Sequence, residues 1–184
     1  MDKALDGAVL LFREHGFHDA SLADIGAAMQ LTPGSIYKAF RDKREIFAAA
    51  FDHYTRRRHE QLKALLSSKA TGREKLEAAL TFLAETAHGA EGKIGCMVVG
   101  AATDISTLDA ALSARVTAAA NWMEGLFVEL IQAGRADGSI SKTIDAATTA
   151  RTFLCLTQGL RVVGKTGRTR AEMMATVQQA MKLV

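Results

Sequence analysis

A chain of 184 residues is long enough to bury a sound core, as one large domain or two small ones. Hydrophobic residues make up 48% and aromatics 6%, and a single proline amid abundant alanine favours helix throughout. The formal net charge of +3 permits nucleic acid as a partner, but residues 1–60 hold nine Lys/Arg against nine Asp/Glu, so the positive charge is local, at 38–44 and 56–58, which argues against a bulk-charge DNA coater. The longest apolar run, residues 94–102, contains two glycines and is far too short for a membrane span. The two cysteines lie far apart without CxxC spacing, the usage of a reducing cytoplasm rather than of a disulfide framework. The N-terminus reads as helix, not as a signal peptide.

In chain order, residues 2–15 place Leu5, Ala8, Val9 and Phe12 on one helical face, and Gly16 suits a C-terminal stop. Ser21 and Asp24 open a second helix whose apolar face is Leu22, Ile25, Gly26 and Met29. Gln30-Leu31 breaks it. Thr32 caps a third helix, with Pro33 in the first turn, where a missing N–H costs nothing. In it Ile36 and Phe40 fall on one side, and Gly34, Tyr37, Lys38 and Arg41 on another. A short helix with one buried seam and such an outer face suits a DNA groove: small residues allow close approach and cations meet phosphates. The candidate DNA-contacting residues are Ser21, Thr32, Pro33, Gly34, Ser35, Tyr37, Lys38 and Arg41, with Lys43 at the start of the next helix. There an ammonium and a helix N-terminus together suit a phosphate.

The run 25–47, IGAAMQLTPGSIYKAFRDKREIF, resembles the helix-turn-helix of TetR-type transcriptional regulators. Gly34, Tyr37, Phe40, Lys43 and Phe47 stand in the matching places of that pattern. Three positions depart from it: Gln30 replaces the turn glycine, Gly26 the usual small residue after Ile25, and Ala39 a frequent histidine, which removes one expected phosphate contact. The resemblance covers about the first quarter of the chain. It implies a homodimer formed through the last two helices, an effector site between the fifth to eighth helices, and release of DNA when the fourth helix shifts. The plainer reading of the same residues is an amphipathic helical hairpin with a basic surface.

The fourth helix starts at Asp42-Lys43 and carries a stripe of Phe47, Phe51, Tyr54, Leu62 and Leu65. Arg56, Arg57 and Arg58 span roughly 300° of it, so they cannot all face DNA; they read as surface charge paired with acids such as Asp52 and Glu60. Residues 67–72 read as a loop, 73–88 as a helix with Leu76, Ala79, Leu80, Leu83 and Ala87 inward, and 89–95 as a second loop. Residues 96–104 are apolar nearly all round and read as a buried helix. A long helix is expected from Ser106 or Thr107 to about Ala133, with a seam of Leu112, Val116, Ala119, Met123, Leu126 and Leu130. Gly134 and Asp137-Gly138 turn the chain. Asp145 caps a helix bearing Phe153, Thr157 and Leu160; Thr169 and Glu172 box the start of a last one bearing Met173, Val177 and Met181. The fold class is therefore all-α, about nine helices, with a three-helix head at 1–47 and a larger effector-binding and dimerisation body at 48–184.

Phe153, Leu154, Leu160, Val177 and Met181 exceed what one layer needs, and Phe153, Leu160, Val177 and Met181 are the expected dimer interface. The expected effector-lining residues are Phe82, Thr86, Met97, Trp122, Phe127, Phe153 and Gln158, each with core packing as its plainer reading. Their lack of charge favours an apolar or weakly polar ligand. Cys96 follows Gly95 at a helix start, where the dipole lowers a thiol pKa, and is a candidate redox or electrophile sensor; its plainer role is that of a small buried residue. Cys155 reads as packing. Five scattered histidines (His15, His18, His53, His59, His88), with no HExxH, GxSxG, CxxC or glycine-rich phosphate loop, give no catalytic residue, no metal and no cofactor. The expectation is a cytoplasmic homodimeric repressor that binds a palindromic double-stranded operator and is released by a small apolar effector. The alternatives are a helical ligand-binding or adaptor protein whose head does not read DNA, or a sensor acting through Cys96.

Overall fold

Local capping chemistry sets where several of the helices begin. Ser21 accepts the amide of Asp24, Thr32 that of Ser35, Asp145 that of Thr148 and Thr169 that of Glu172. Each side chain satisfies an amide that the first turn would leave unpaired. The computed structural model describes residues 1–184 and contains no strand. It comprises α1 (Asp2–Asp19), α2 (Leu22–Met29), α3 (Pro33–Ala39), α4 (Lys43–Ser67) and α5 (Gly72–Glu85). These are followed by α6 (Gly89–Ile94), α7 (Met97–Thr103), α8 (Ala110–Asp137), α9 (Ala146–Gly164) and α10 (Arg170–Ala180), with short 3-10 turns at 105–107 and 181–183.

The all-α class is as expected, with one more helix than expected. The extra one is α6, in the stretch read as a loop. Within it Gly92 packs against the backbone of Ala87, where a Cβ would stand 2.7 Å from the carbonyl oxygen. Gly16 stops the first helical run at φ 76°, and residues 17–19 form a separate turn after the kink. Thr71, not noticed as a cap, boxes the start of α5 with Glu74. The long helix starts at Ala110 rather than 106 or 107, because Asp109 accepts the amide of Leu112 at 2.9 Å. It also runs past Ala133 to Asp137. The helix at 97–103 buries Met97 and Ala101 but exposes Gly100, Ala102 and Thr103, so it is half covered and not sealed on all sides.

The chain packs as two compact units, residues 1–59 with 96–118, and residues 60–95 with 119–184. The functional boundary expected at 47/48 does not coincide with this packing division, because α7 and the first turns of α8 join the N-terminal unit. In that unit α1 packs against both α2 and α7. The crossing of α1 on α2 is close: a Cβ at Gly7 would stand 1.9 Å from the Ala28 carbonyl oxygen, so only hydrogen fits. Its core is an aromatic chain. Phe47 meets Phe12 at 4.9 Å and Phe17 at 5.1 Å edge-on, and stacks with Phe51 at 6.1 Å.

The second unit is built on α5, α9 and α10 with the C-terminal part of α8. Leu76, Leu80, Phe127, Phe153, Met173 and Val177 are fully buried in one cluster. The start of α5 lies so close to α8 that a Cβ at Gly72 would stand 2.0 Å from the Gly134 nitrogen. Arg73 then donates to the carbonyls of Met181 (2.9 Å) and Val184, tying α5 to the C-terminus. Arg161 is buried and donates to the Thr86 carbonyl at 2.7 Å. No helix is long and apolar enough to cross a membrane.

Candidate nucleic-acid interface

The interface is assembled from α2, α3 and the turn between them. α2 ends when Gln30 enters the left-handed region, φ 56° and ψ 40°. A non-glycine residue pays about 1–2 kcal/mol there, and its amide bonds to Ala27 and Gly26 carbonyls while Leu31 N–H bonds to Gly26 at 3.0 Å. The turn is therefore made by Gln30 in place of the glycine of the resembled pattern. Gly26 serves a different purpose: a Cβ there would already meet Ile36 Cδ1 at 3.0 Å, so the small residue lets α3 sit against α2.

Ile36 and Phe40 are buried and fix the rotation of α3. Everything on its other side faces outward. Thr32, Pro33, Gly34, Ser35 and Lys38 are exposed, Tyr37 is 63% exposed, and the Arg41 side chain is 90% exposed. The Thr32 and Ser35 hydroxyls lie 2.9 Å apart. A Cβ at Gly34 would meet nothing, so internal packing does not require a glycine there; its effect is to leave bare backbone at the surface. Arg41 is steadied from α4, with its backbone N–H donating to Glu45 at 2.8 Å and its Nε 3.4 Å from the same oxygen. Ser21 is also exposed, its hydroxyl donating to Asp24 and accepting the Asp24 amide at 3.1 Å. The Ser21 hydroxyl and the Ser21 backbone N–H, both donating to the carboxylate, hold the Asp24 carboxyl below its ordinary pKa.

Lys43 is placed differently from the rest. Its ammonium donates to the carbonyls of His18 and Ala20, both at 3.0 Å, and lies 4.8 Å above the Phe17 ring. These are carbonyls that the end of α1 leaves unpaired, so Lys43 acts first as a strut from α4 to α1. The arginine triplet also divides. Arg56 donates to His53 Nδ1 at 3.2 Å, Arg57 pairs with Asp6, and Arg58 lies over Tyr54 at 5.4 Å. Asp52, expected as a partner, takes Arg115 instead, at 2.6 Å. Because Arg56 donates to Nδ1, the proton of the buried His53 sits on Nε2, which donates to Asp6 at 2.9 Å.

Sequence patterning missed a set of ties within this unit. His18 and Thr107 share a hydrogen bond of 2.7 Å, Arg44 and Asp109 lie 3.6 Å apart, and the Arg115–Asp52 pair adds a third link. The segment 96–118 is thereby fastened to α1 and α4 around the helix-turn-helix. Cys96 belongs to this segment; it is half-buried and receives the Tyr54 hydroxyl at 3.5 Å.

The body residues require several corrections. Phe153, Leu160, Val177 and Met181 are all buried in the core of the chain itself, so these side chains are not available to a partner. The side of α9 that faces solvent carries Cys155, Gly159, Val162 and Val163, the two valines 52% and 42% exposed. Cys155 is thus exposed, not packed. Among the expected effector residues, Phe127 and Phe153 meet edge-on at 6.0 Å but are sealed inside the core. Phe82 lies instead on an open groove of about 790 Å³ with Leu65, Ala78 and Glu85. The Thr86 hydroxyl is satisfied by its own helix, Trp122 is partly exposed on α8, Gln158 is half-buried on α9, and Met97 is buried in the first unit.

Two family models match the chain. One, for bacterial regulatory proteins of the tetR family, covers residues 4–50, and one for the tetracyclin repressor-like C-terminal domain covers residues 72–181. The chain is 25% identical to the HTH-type transcriptional repressor ComR of Escherichia coli (strain K12), over 99% of this chain and 87% of that protein. Among solved structures it resembles a cysteine-substituted TetR family regulator CifR complexed with a 26-base-pair double-strand operator. That match has a TM-score of 0.87 and 29% identity, covering 98% of this chain and 95% of that one. A TetR family regulator from Agrobacterium tumefaciens shares the fold with a TM-score of 0.88 at 19% identity, over 98% and 95% of the two chains.

Proposed function

The chain belongs to the TetR family of bacterial regulatory proteins, and from that premise we propose that it is a cytoplasmic transcriptional repressor, a homodimer that binds a palindromic operator and leaves it when a small apolar effector binds. The observation that carries this reading is the outer face of α3. Thr32, Ser35, Tyr37 and Lys38 are solvent-exposed at the cap and along a helix whose opposite side is pinned by Ile36, and Arg41 is exposed just past its end, after the buried Phe40. Hydroxyls and cations of this kind meet phosphates and position the helix, and its first residues reach base edges. The operator complex of the similar CifR supports duplex DNA as the partner.

One α3 covers one half-site, so tight binding needs two, about 34–36 Å apart. The exposed valines of α9 support dimerisation through that helix, since a pair of adjacent exposed valines on a face with Gly159 favours close helix–helix contact. Release requires an effector with unequal affinity for two arrangements of the heads. The tie from Arg115 to Asp52 of α4 supports α8 as a transmitting element, because Trp122 follows Arg115 two turns later on the same helix.

The test is electrophoretic retardation of the duplex upstream of the protein's own gene by the full-length chain. Retardation that competitor DNA of random sequence does not abolish is the expected result. Failure to distinguish that duplex from random DNA, together with failure to enrich any sequence from a random library, would refute the reading.

A further inference from the structure

Between α2 and α3 lies an apolar groove, most of whose lining is not among the residues assigned to DNA above. Leu22, Ala23 and Ala27 of α2, Leu31 of the turn, and Pro33 and Tyr37 of α3 line it. Its lining includes no charged residue, and its one polar side-chain atom is the Tyr37 hydroxyl. It is not core: Leu22 is 37% exposed and Ala23, Ala27 and Pro33 are exposed too. Its rim is polar. Ser21 precedes Leu22, Thr32 precedes Pro33, and Lys38 follows Tyr37, all exposed. Pro33 and Tyr37 also belong to the exposed face proposed above to meet DNA, so a duplex docked on that face brings base edges toward the groove.

Of the groups on the major-groove edge, only the thymine C5-methyl is apolar. A guanine, cytosine or adenine edge pressed into a wall whose one polar side-chain atom is the Tyr37 hydroxyl would lose more water than it gains partners. We propose that this groove reads thymine, receiving the C5-methyl of one thymine in each operator half-site, with Leu22 and Ala27 as the specificity-determining side chains. The proposal rests on the operator-binding function above.

The test begins with an operator selected by the full-length protein from a random duplex library. Each thymine is then replaced in turn by deoxyuridine, which keeps every hydrogen-bonding group and removes only the methyl. Affinity should fall about fourfold for each symmetric methyl lost, the value of one buried CH₂, at one position per half-site, and the salt dependence should stay the same. Leu22→Ser and Ala27→Ser proteins should bind the parent and the deoxyuridine duplex alike at that position. Equal affinity for every substituted duplex would overturn the proposal, as would a methyl dependence that survives in both serine variants. Either result would leave operator binding itself intact, whereas a library from which nothing is enriched would overturn operator binding and this proposal together.

Discussion

Replacing Lys43 with methionine separates a strut from a phosphate contact. The substitution keeps the aliphatic stem against Phe17 and removes the ammonium, which donates to His18 O and Ala20 O at 3.0 Å each. A hydrogen bond from a charged donor is worth roughly 1.5–3 kcal/mol. The His18 carbonyl lies in an exposed setting and regains water when the ammonium goes, so most of its share is recovered. The Ala20 carbonyl is partly buried and recovers less. The lost contact with the Phe17 ring adds about 0.5 kcal/mol. The net cost should be roughly 2 kcal/mol, which for a chain of this length lowers the melting temperature by about 4–8 °C. Thermal unfolding by circular dichroism measures that shift, and titration of operator at several salt concentrations measures the phosphate count. A strut predicts the lower melting temperature with an unchanged salt slope. An unchanged melting temperature with a slope reduced by about 0.9 would show instead that Lys43 neutralises a phosphate, and would refute the strut.

Arg41→Ala should behave in the opposite way: its side chain is almost wholly exposed, so stability should change by less than about 0.5 kcal/mol while the salt slope falls by about 0.9. Val163→Glu, on the solvent side of α9, should give folded monomers in sedimentation, whereas Leu160→Glu, inside the subunit core, should abolish cooperative unfolding; a folded dimer in the first case would move the interface to another face. Burial pushes the His59 imidazole below its ordinary pKa, so the unfolded chain takes up that proton first as the pH drops. Stability should accordingly be full above about pH 6.5 and decline as the pH falls below it, and the melting temperature of His59→Gln should depend less on pH across that window.

The features of this protein that the sequence alone determined are those carried by neighbours within one turn. Ser21–Asp24, Thr32–Ser35 and Thr169–Glu172 close their caps over three residues, so the starts of α2, α3 and α10 could be read directly. Periodicity likewise assigned Ile36 inward and Tyr37 and Lys38 outward, because a seven-residue helix offers only one face that can be buried, whereas Phe40 and Arg41 lie past its end, where the chain is extended at Phe40. Tertiary structure decided the rest. Nothing near Lys43 in sequence indicates that its ammonium reaches carbonyls 25 and 23 residues earlier. Asp6 pairs with Arg57 and Asp52 with Arg115, partners 51 and 63 residues apart. On α9 apolar residues occur nearly all round, so the pattern could not say whether Leu160 or Val163 faced inward. The choice fell to backbone crossing: Gly164 lies so close to Ala87 that a Cβ would stand 2.0 Å from its carbonyl oxygen, and that approach turns Leu160 into the core and leaves Val162 and Val163 to solvent. Hydrogen bonds within a turn are set by the order of residues, but the burial of one side of an apolar helix is set by the element it packs against.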